Sequence, residues 1–221
     1  MPKAHAHWTT LPHGPLERLN DRLWCLEGDL PGMPLKRRST LARLSDGRLV
    51  IHNAIALEQP LISEIEAWGE PAFLLVPGAY HRLDAKSYKQ RYPQLRVLCP
   101  AGAAAKVAQV VPVDGSYDDL PADPQVQLEH LDGLARREGV MQVHAADGTS
   151  LAFNDVLFNQ AHLPGLTGLI FRLLRSTGGP RVTAIGRLFL VKEREALREH
   201  FVRLAAIADL NRIIVLHGCS I

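Results

Sequence analysis

The sequence predicts an α/β protein in which two mixed sheets pack together and are covered by helices. Short apolar segments of strand length recur from residue 22 to residue 218. Two pairs of them are joined by an Asp-Gly dipeptide, at residues 46–47 and 147–148, which is a strong signal for a β-hairpin. Helical patterns lie between the other segments, so strands and helices are interspersed along the chain.

The first half predicts strands separated by short helices. Pro60 suits the first turn of one helix and Gly69 its end, whereas Pro93 closes the next helix. At Asp46-Gly47 we expect a type I′ turn, with positive φ at both residues. In chain order the elements are a strand (RLWCLEG, 22–28), a hairpin (STLARLSDGRLVIHNA, 39–54), a helix (PLISEIEAWG, 60–69), a strand (AFLLV, 72–76), a helix (DAKSYKQRYP, 84–93) and a strand (LRVLCP, 95–100).

The second half predicts three strands, two helices and a final strand. Residues 107–124 are rich in Pro, Asp and Gly and indicate a loop. The apolar run LPGLTGLIFRLL, residues 163–174, is shorter than the ~20 residues that span a bilayer. We interpret it as a buried or lid helix, with a membrane-surface role as the alternative. The other elements are strands at 126–133 and 139–159, an amphipathic helix at 193–209 and a closing strand, RIIVLHG, at 212–218.

Composition bounds the class of protein. A chain of 221 residues fits one domain, 1–221, in which we expect residues 1–20 to be a loosely ordered segment. The formal net charge of +2 indicates no strong positive field that would attract nucleic acid. The N-terminus lacks the continuous apolar segment of a signal peptide. Three cysteines without a C-x-x-C pair predict neither disulfides nor a thiolate cluster, so a cytoplasmic location is expected.

Three metal-competent side chains follow apolar strands: His81 after FLLV, Asp155 after SLAFN and His217 after RIIVL. Ligands gather at strand ends in layered α/β folds, and two histidines with one carboxylate suit zinc, iron or manganese. Each residue also has an ordinary structural interpretation: a hydrogen-bonded loop histidine, or an aspartate that caps a turn. The pair His5 and His7 lies near the terminus, where incidental metal binding is the expected behaviour.

The same segments resemble a known family. WCLEG, LARLSDGRLVIHNAIAL, LLVPGAYHRLDAKSYKQRYPQLRVLCPAG, SLAFNDVLFN and IIVLHG look like a metallo-β-lactamase-fold protein. They are most similar to a branch of that superfamily described as a domain of unknown function, which carries a lone-histidine PN-x-x-H loop and the phrases YP and DLVFN. The resemblance covers residues 23–221 and implies a four-layer αββα sandwich with a metal site at one edge.

The resemblance also implies a degenerate metal site. Active members carry H-x-H-x-D-H after a strand, but the matching place here is PGAYHRLD, where only His81 matches a histidine ligand. Asp84 falls where either the Asp or the last His of that motif lies. Asp155 matches the carboxylate that bridges two metals in active relatives, and His217 matches their last histidine ligand.

A further ligand of the family is a histidine in a turn before a strand. Leu134 occupies the matching position in LDGLARREGV, and the resemblance gives no role to the nearby His130 and Glu138. The ligands that remain predict at most one divalent ion, zinc, iron or manganese, held by His81, Asp155 and His217. The site can equally have lost its metal.

Two function classes follow. The leading interpretation is a mononuclear metal-dependent hydrolase of a small ester, thioester or amide, in which the ion activates water. The alternative is a catalytically inactive pseudo-hydrolase that binds a small molecule or a protein. A weaker third option is an iron-binding oxidoreductase. The sequence names no substrate, indicates no nucleic-acid partner or transmembrane segment, and leaves the oligomeric state open.

Overall fold

Two β-sheets face each other in the computed structural model, which describes residues 3–221. The first sheet has seven strands, paired in chain order. Strands β1 to β4 pair antiparallel, and β4 to β7 pair parallel. The strands of this sheet are β1 (Glu17–Arg18), β2 (Leu23–Asp29), β3 (Lys36–Arg43), β4 (Arg48–His52), β5 (Glu70–Leu75), β6 (Arg96–Cys99) and β7 (Gly115–Ser116).

The second sheet has four strands in the order β11-β10-β9-β8. Its last strand pairs parallel with β10, whereas β8, β9 and β10 form an antiparallel meander. Because β10 and β11 are parallel, the segments that follow them leave the sheet at the same edge. The strands are β8 (Val126–His130), β9 (Gly139–Ala145), β10 (Gly148–Phe153) and β11 (Leu210–Val215).

Alternation of side chains along the strands builds two apolar layers on the first sheet. On β4, Leu49 packs in one layer and Val50 in the other; on β5, Leu74 and Phe73 do the same. The inner layer is shared with the second sheet, through residues such as Met141. Side chains from both sheets therefore form the central core.

Helices cover both outer faces. Three helices adjoin the first sheet: α1 (Gln59–Trp68), α2 (Ala85–Arg91) and α3 (Ala104–Val107). The second sheet is covered by α6 (Arg194–Ala205), whose buried Leu197 and Leu204 pack with Leu151 and Phe153 of β10. The remaining helices are α4 (Gly165–Leu173) and α5 (Ala184–Phe189). The order helix, sheet, sheet, helix confirms the predicted αββα sandwich.

Both Asp-Gly hairpins form, but the predicted turn type is wrong. Gly47 has φ +89° and Gly148 has φ +111°, whereas neither preceding aspartate has a positive φ. In the first hairpin the N–H of Gly47 donates to the carbonyl of Leu44 at 3.1 Å, and the N–H of Leu44 donates to Arg48 at 2.9 Å. This pattern fits a type I turn followed by a left-handed glycine, for which Asp at the preceding position needs no unusual backbone.

The apolar segment 163–174 forms a helix, α4, but it is not buried. Leu166 is 75 % exposed and Leu173 is 74 % exposed, and Gly168 is the buried position of the helix. The sequence therefore predicted the helix, whereas its predicted burial is wrong, because the apolar side chains of α4 face away from the sheets. In residues 3–221, no helix is both long and apolar enough to cross a membrane.

The N-terminal residues contact the first sheet and its helices. The indole Nε1–H of Trp8 donates to the carbonyl of Leu57 at 2.8 Å, and its ring lies 4.8 Å from that of Tyr88. Farther along, β1 pairs with β2. These contacts hold Trp8 against α2 and add β1 to the edge of the first sheet.

Candidate functional site

The three residues singled out in the sequence meet at one edge of the sandwich. His81 follows β5 of the first sheet, while Asp155 and His217 follow β10 and β11 of the second. The Nε2 atom of His81 lies 2.7 Å from Oδ2 of Asp155, and Nε2 of His217 lies 3.6 Å from Oδ1 of the same carboxylate. The two imidazole centroids are 6.1 Å apart. The carboxylate thus lies between two imidazole nitrogens.

His217 is oriented by a hydrogen bond from the other sheet. Its Nδ1–H donates to the carbonyl of Lys36, on β3, at 2.6 Å, and the ring of Phe158 lies 4.8 Å from its own. Burial lowers the pKa of His217; the charge of Asp155 opposes this shift, and the charge of His81 adds to it. A neutral imidazole that donates through Nδ1 has a lone pair on Nε2, the atom that faces Asp155. Metal-binding histidines commonly donate their other ring N–H in this way, which fixes the orientation of the ring.

Asp155 is the acidic group of the site. Burial alone would raise the pKa of its carboxyl, but the charge and hydrogen bond of His81 and the charge of His217 hold the pKa below its usual value. Its side chain is 25 % exposed, compared with 8 % for His81 and 5 % for His217. Solvent therefore reaches this cluster at an ionised carboxylate.

Glu138 supports the loop that carries Asp155. It is 1 % exposed, accepts a hydrogen bond from the Asn154 side-chain amide at 2.9 Å, and accepts another from the backbone N–H of Val156 at 2.9 Å. Burial, reinforced by the negative charge of Asp155, raises its pKa well above the usual value. Glu138 is thus a buried acid that holds the side chain of Asn154 and the backbone of Val156, the two neighbours of Asp155.

The other two residues considered near Glu138 lie outside the cluster. Leu134 is fully buried in the apolar layer between the second sheet and α6. His130 accepts a hydrogen bond from the backbone N–H of Ala101 at 3.2 Å and lies 3.4 Å from a carboxylate oxygen of Asp118. Neither contact involves the three residues of the candidate site.

The loop after β5 presents His81 and buries Asp84. The N–H of His81 donates to the carbonyl of Gly78 at 3.3 Å, closing a tight turn. Asp84, whose side chain is 0 % exposed, instead accepts from Nη2 of Arg37 at 2.5 Å and from Nδ1 of His5 at 2.7 Å. The aspartate that falls within the family's ligand motif therefore forms a buried ion pair with the first sheet.

His52 is a residue of this region that the sequence reasoning missed. It is 2 % exposed at the end of β4, beside β5, and within the described chain its Nε2 has no hydrogen-bond partner. Burial, with the charge of His81 as a smaller cause, lowers its pKa to about 3. The sequence did contain a signal for His52, because it ends the apolar segment RLVIH, much as His81 and His217 follow apolar strands.

The donor set fits one metal ion. His217 has an unprotonated Nε2 and an orienting partner, and Asp155 is ionised between two imidazoles. Within residues 3–221, however, no three His, Cys, Asp or Glu side chains already surround a position for an ion. His81 and Asp155 are hydrogen-bonded directly to each other at 2.7 Å, so an ion shared by these two residues would require this bond to open.

Comparison with solved structures identifies the fold. The metallo-β-lactamase from Pontibacter korlensis is similar with a TM-score of 0.62 and 11 % identity, over 93 % of this chain and 92 % of that chain. The DIM-1 metallo-β-lactamase exposed to ceftazidime gives 0.62 and 11 %, over 96 % and 92 %, and a second structure of DIM-1 gives 0.59 and 9 %, over 95 % and 92 %. No family model and no curated protein matches the chain. The chain has the metallo-β-lactamase fold, and identities this low show the fold alone.

Proposed function

We propose that the protein binds one divalent metal ion, zinc, iron or manganese, through His81, Asp155 and His217, and hydrolyses a small ester, thioester or amide. The observation that carries this proposal is the convergence of two imidazole Nε2 atoms on one carboxylate, at 2.7 Å and 3.6 Å. When bound, such an ion activates water and polarises a carbonyl oxygen. The named similarity to metallo-β-lactamases supports this chemistry.

The chain's own residues divide the remaining work. Lys36 fixes the ring of His217 through its carbonyl, and Glu138 fixes the loop of Asp155 through Val156. The ring of Phe158 packs beside that of His217, with centroids 4.8 Å apart. Asp155, partly exposed and ionised, is the anionic ligand that the proposal places between the two imidazoles.

A second candidate function is that of a pseudo-hydrolase, a catalytically inactive binding module for a small molecule or a protein. The direct hydrogen bond of 2.7 Å between His81 and Asp155 favours it, because this bond satisfies both groups without an ion. For either function we propose a cytoplasmic location. Its support is that Cys25, Cys99 and Cys219 are all free thiols.

Metal titration of the chelator-treated protein tests these proposals. We expect at most one ion per chain by elemental analysis, and a rise in Tm with added zinc, iron or manganese. Asp155→Asn and His217→Ala should each weaken binding by more than the roughly 10- to 100-fold that loss of an outer-shell partner costs. His7→Ala, at a histidine with an exposed side chain near the terminus, is the matched control: it removes incidental binding at His5 and His7 and should leave tight binding of one ion as in the wild type.

The outcomes separate the functions. Two tightly held ions per chain would contradict the single-ion site. Absence of binding by all three metals would remove the hydrolase proposal and leave the binding module. Binding of one ion without hydrolysis of p-nitrophenyl acetate, a model thioester or an anilide would likewise leave the binding module. Hydrolysis that Asp155→Asn abolishes, in a protein of unchanged Tm, would support the enzyme.

A further inference from the structure

The outer face of α4 is apolar and exposed. Leu166, Leu169, Ile170 and Leu173 recur at i, i+3, i+4 and i+7, the spacing of one helical face, and their exposed fractions run from 48 % to 75 %. The buried position of the helix, Gly168, lies on the opposite side. Leucines that are three-quarters exposed protrude from the protein rather than line a groove.

The next helix continues this pattern. In α5, Ile185, Leu188 and Phe189 are 49 %, 72 % and 62 % exposed, again at i, i+3 and i+4, and Gly186 is the buried position. The two helices are joined by a hydrogen bond of 3.1 Å from the N–H of Ala184 to the carbonyl of Leu174. We call the seven side chains of these two stripes the apolar face. Exposed apolar stripes of this kind, on two helices joined to each other, are typical of an interaction site in a folded protein.

The charge around the apolar face has one sign. Residues 156–192 contain four arginines and one lysine, and no aspartate or glutamate. Arg172, Arg175 and Arg187 are exposed, and among the described residues none of the three is in an ion pair. The whole chain carries a net charge of only +2, so this concentration of cations is local. The partner of this surface should therefore be anionic.

A groove beside α5 has the same chemistry. It lies between α5 and α6, has a volume of about 510 Å³, and combines apolar side chains such as Val191 and Phe201 with Arg187, Arg194 and Arg198, the last of which is paired with Glu195 at 2.9 Å. An apolar floor with guanidinium groups at its rim suits a molecule with an acyl chain and an anionic head. The protruding leucines of the apolar face lie outside this groove.

We propose that α4 and α5 dock this protein on the surface of an anionic lipid bilayer. Protruding leucines beside unpaired arginines match the interface of acyl chains and acidic headgroups, and helices of nine and six residues lie in that plane rather than cross it. Two other partners fit less well. A symmetric dimer would place the arginines of one copy against those of the other, which repel. An acidic peptide would offer no apolar groove to receive the protruding leucines. The underside of α5 contacts the Asp155 loop, where a Cβ on Gly186 would lie 3.7 Å from the Asp155 carbonyl, so docking places the candidate site beside the bilayer.

Vesicle co-sedimentation of the full chain tests the proposal. We expect binding to phosphatidylcholine vesicles that contain phosphatidylglycerol, little binding to pure phosphatidylcholine, and weaker binding at high salt. Leu173→Glu and Leu188→Glu should each weaken binding by about tenfold or more, because each removes a leucine and adds a repelled charge. The double variant Arg172→Gln with Arg175→Gln should bind these vesicles about 25-fold more weakly, because each lost charge should weaken binding about fivefold.

Matched controls lie on other surfaces. Met33→Glu, at a residue 42 % exposed, controls for the leucines, and the exposed pair Lys86→Gln with Lys106→Gln controls for the arginines. Every variant should keep the wild-type Tm, since the altered side chains are exposed. Four outcomes would overturn the proposal: no binding to any vesicle, equal binding to pure phosphatidylcholine, wild-type binding by Leu173→Glu, or a dimer in sedimentation equilibrium that Leu173→Glu dissociates while vesicle binding is absent.

Discussion

The buried ion pair of Arg37 and Asp84 permits a quantitative prediction. Arg37→Met removes the cation from a carboxylate that is 0 % exposed, together with a donor to the carbonyl of Ala54 at 3.0 Å. Loss of one partner of a buried pair costs about 3–5 kcal/mol, because the remaining charge stays buried. At about 2–4 °C for each kcal/mol in a chain of this size, Tm should fall by about 6–20 °C.

The assay is thermal and urea unfolding followed by circular dichroism. The double variant Arg37→Met with Asp84→Leu should recover much of the loss, since no unpaired charge remains. A single variant within about 1 kcal/mol of the wild type would refute the reasoning. So would a double variant that is less stable than Arg37→Met alone. Metal titration below the lowered Tm adds an independent check: weaker metal binding by the folded double variant than by folded Arg37→Met would return Asp84 to the ligand set.

Three further predictions concern His52 and two glycines. His52 has a pKa of about 3 when folded and about 6.5 when unfolded, so its contribution to stability is present above pH 6.5 and is lost as the pH falls toward 3. Between pH 7 and pH 5, the free energy of unfolding measured in urea should fall by about 2 kcal/mol more for the wild type than for His52→Gln. Equal falls in the two proteins would contradict the burial of a neutral imidazole. Gly78→Ala places a Cβ 2.9 Å from Nδ2 of Asn154, the residue before Asp155. We expect it to weaken metal binding about tenfold or more. Unchanged metal affinity would show that the loop tolerates the added methyl group. Gly69→Ala places a Cβ 2.4 Å from the carbonyl oxygen of Gly47 and should lower the free energy of unfolding by about 1–3 kcal/mol, measured in urea; a neutral effect would mean that the hairpin moves aside.

The positions of the candidate residues follow from the sequence because strand ends are local signals. His81, Asp155 and His217 each follow a recognisable apolar strand, and the parallel pairing of β10 and β11 brings two of them to one edge. The partners that orient them are not local. Lys36 contributes only a carbonyl, which no sequence pattern distinguishes, and the role of Glu138 depends on a loop 18 residues away.

The failures of sequence reasoning also have physical causes. Periodicity shows that Leu166 and Leu173 lie on one face of a helix, but it does not say whether that face meets a sheet or the solvent. An Asp-Gly dipeptide predicts a reversal, but the turn type depends on how many residues the register leaves unpaired. Helix α5 has only six residues, too few for a periodic pattern to emerge.

The orientation of His217 has a consequence for biosynthesis. Its ring is held by Lys36 of the first sheet, and the backbone N–H of Arg38 donates to the carbonyl of Leu216 at 3.0 Å, so β11 adds the last side chain of the cluster across both sheets. Until residue 217 has been made, the nascent chain lacks the second imidazole of the cluster. The candidate site is therefore complete only when β11 has paired with β10 and the two sheets hold His217 in place.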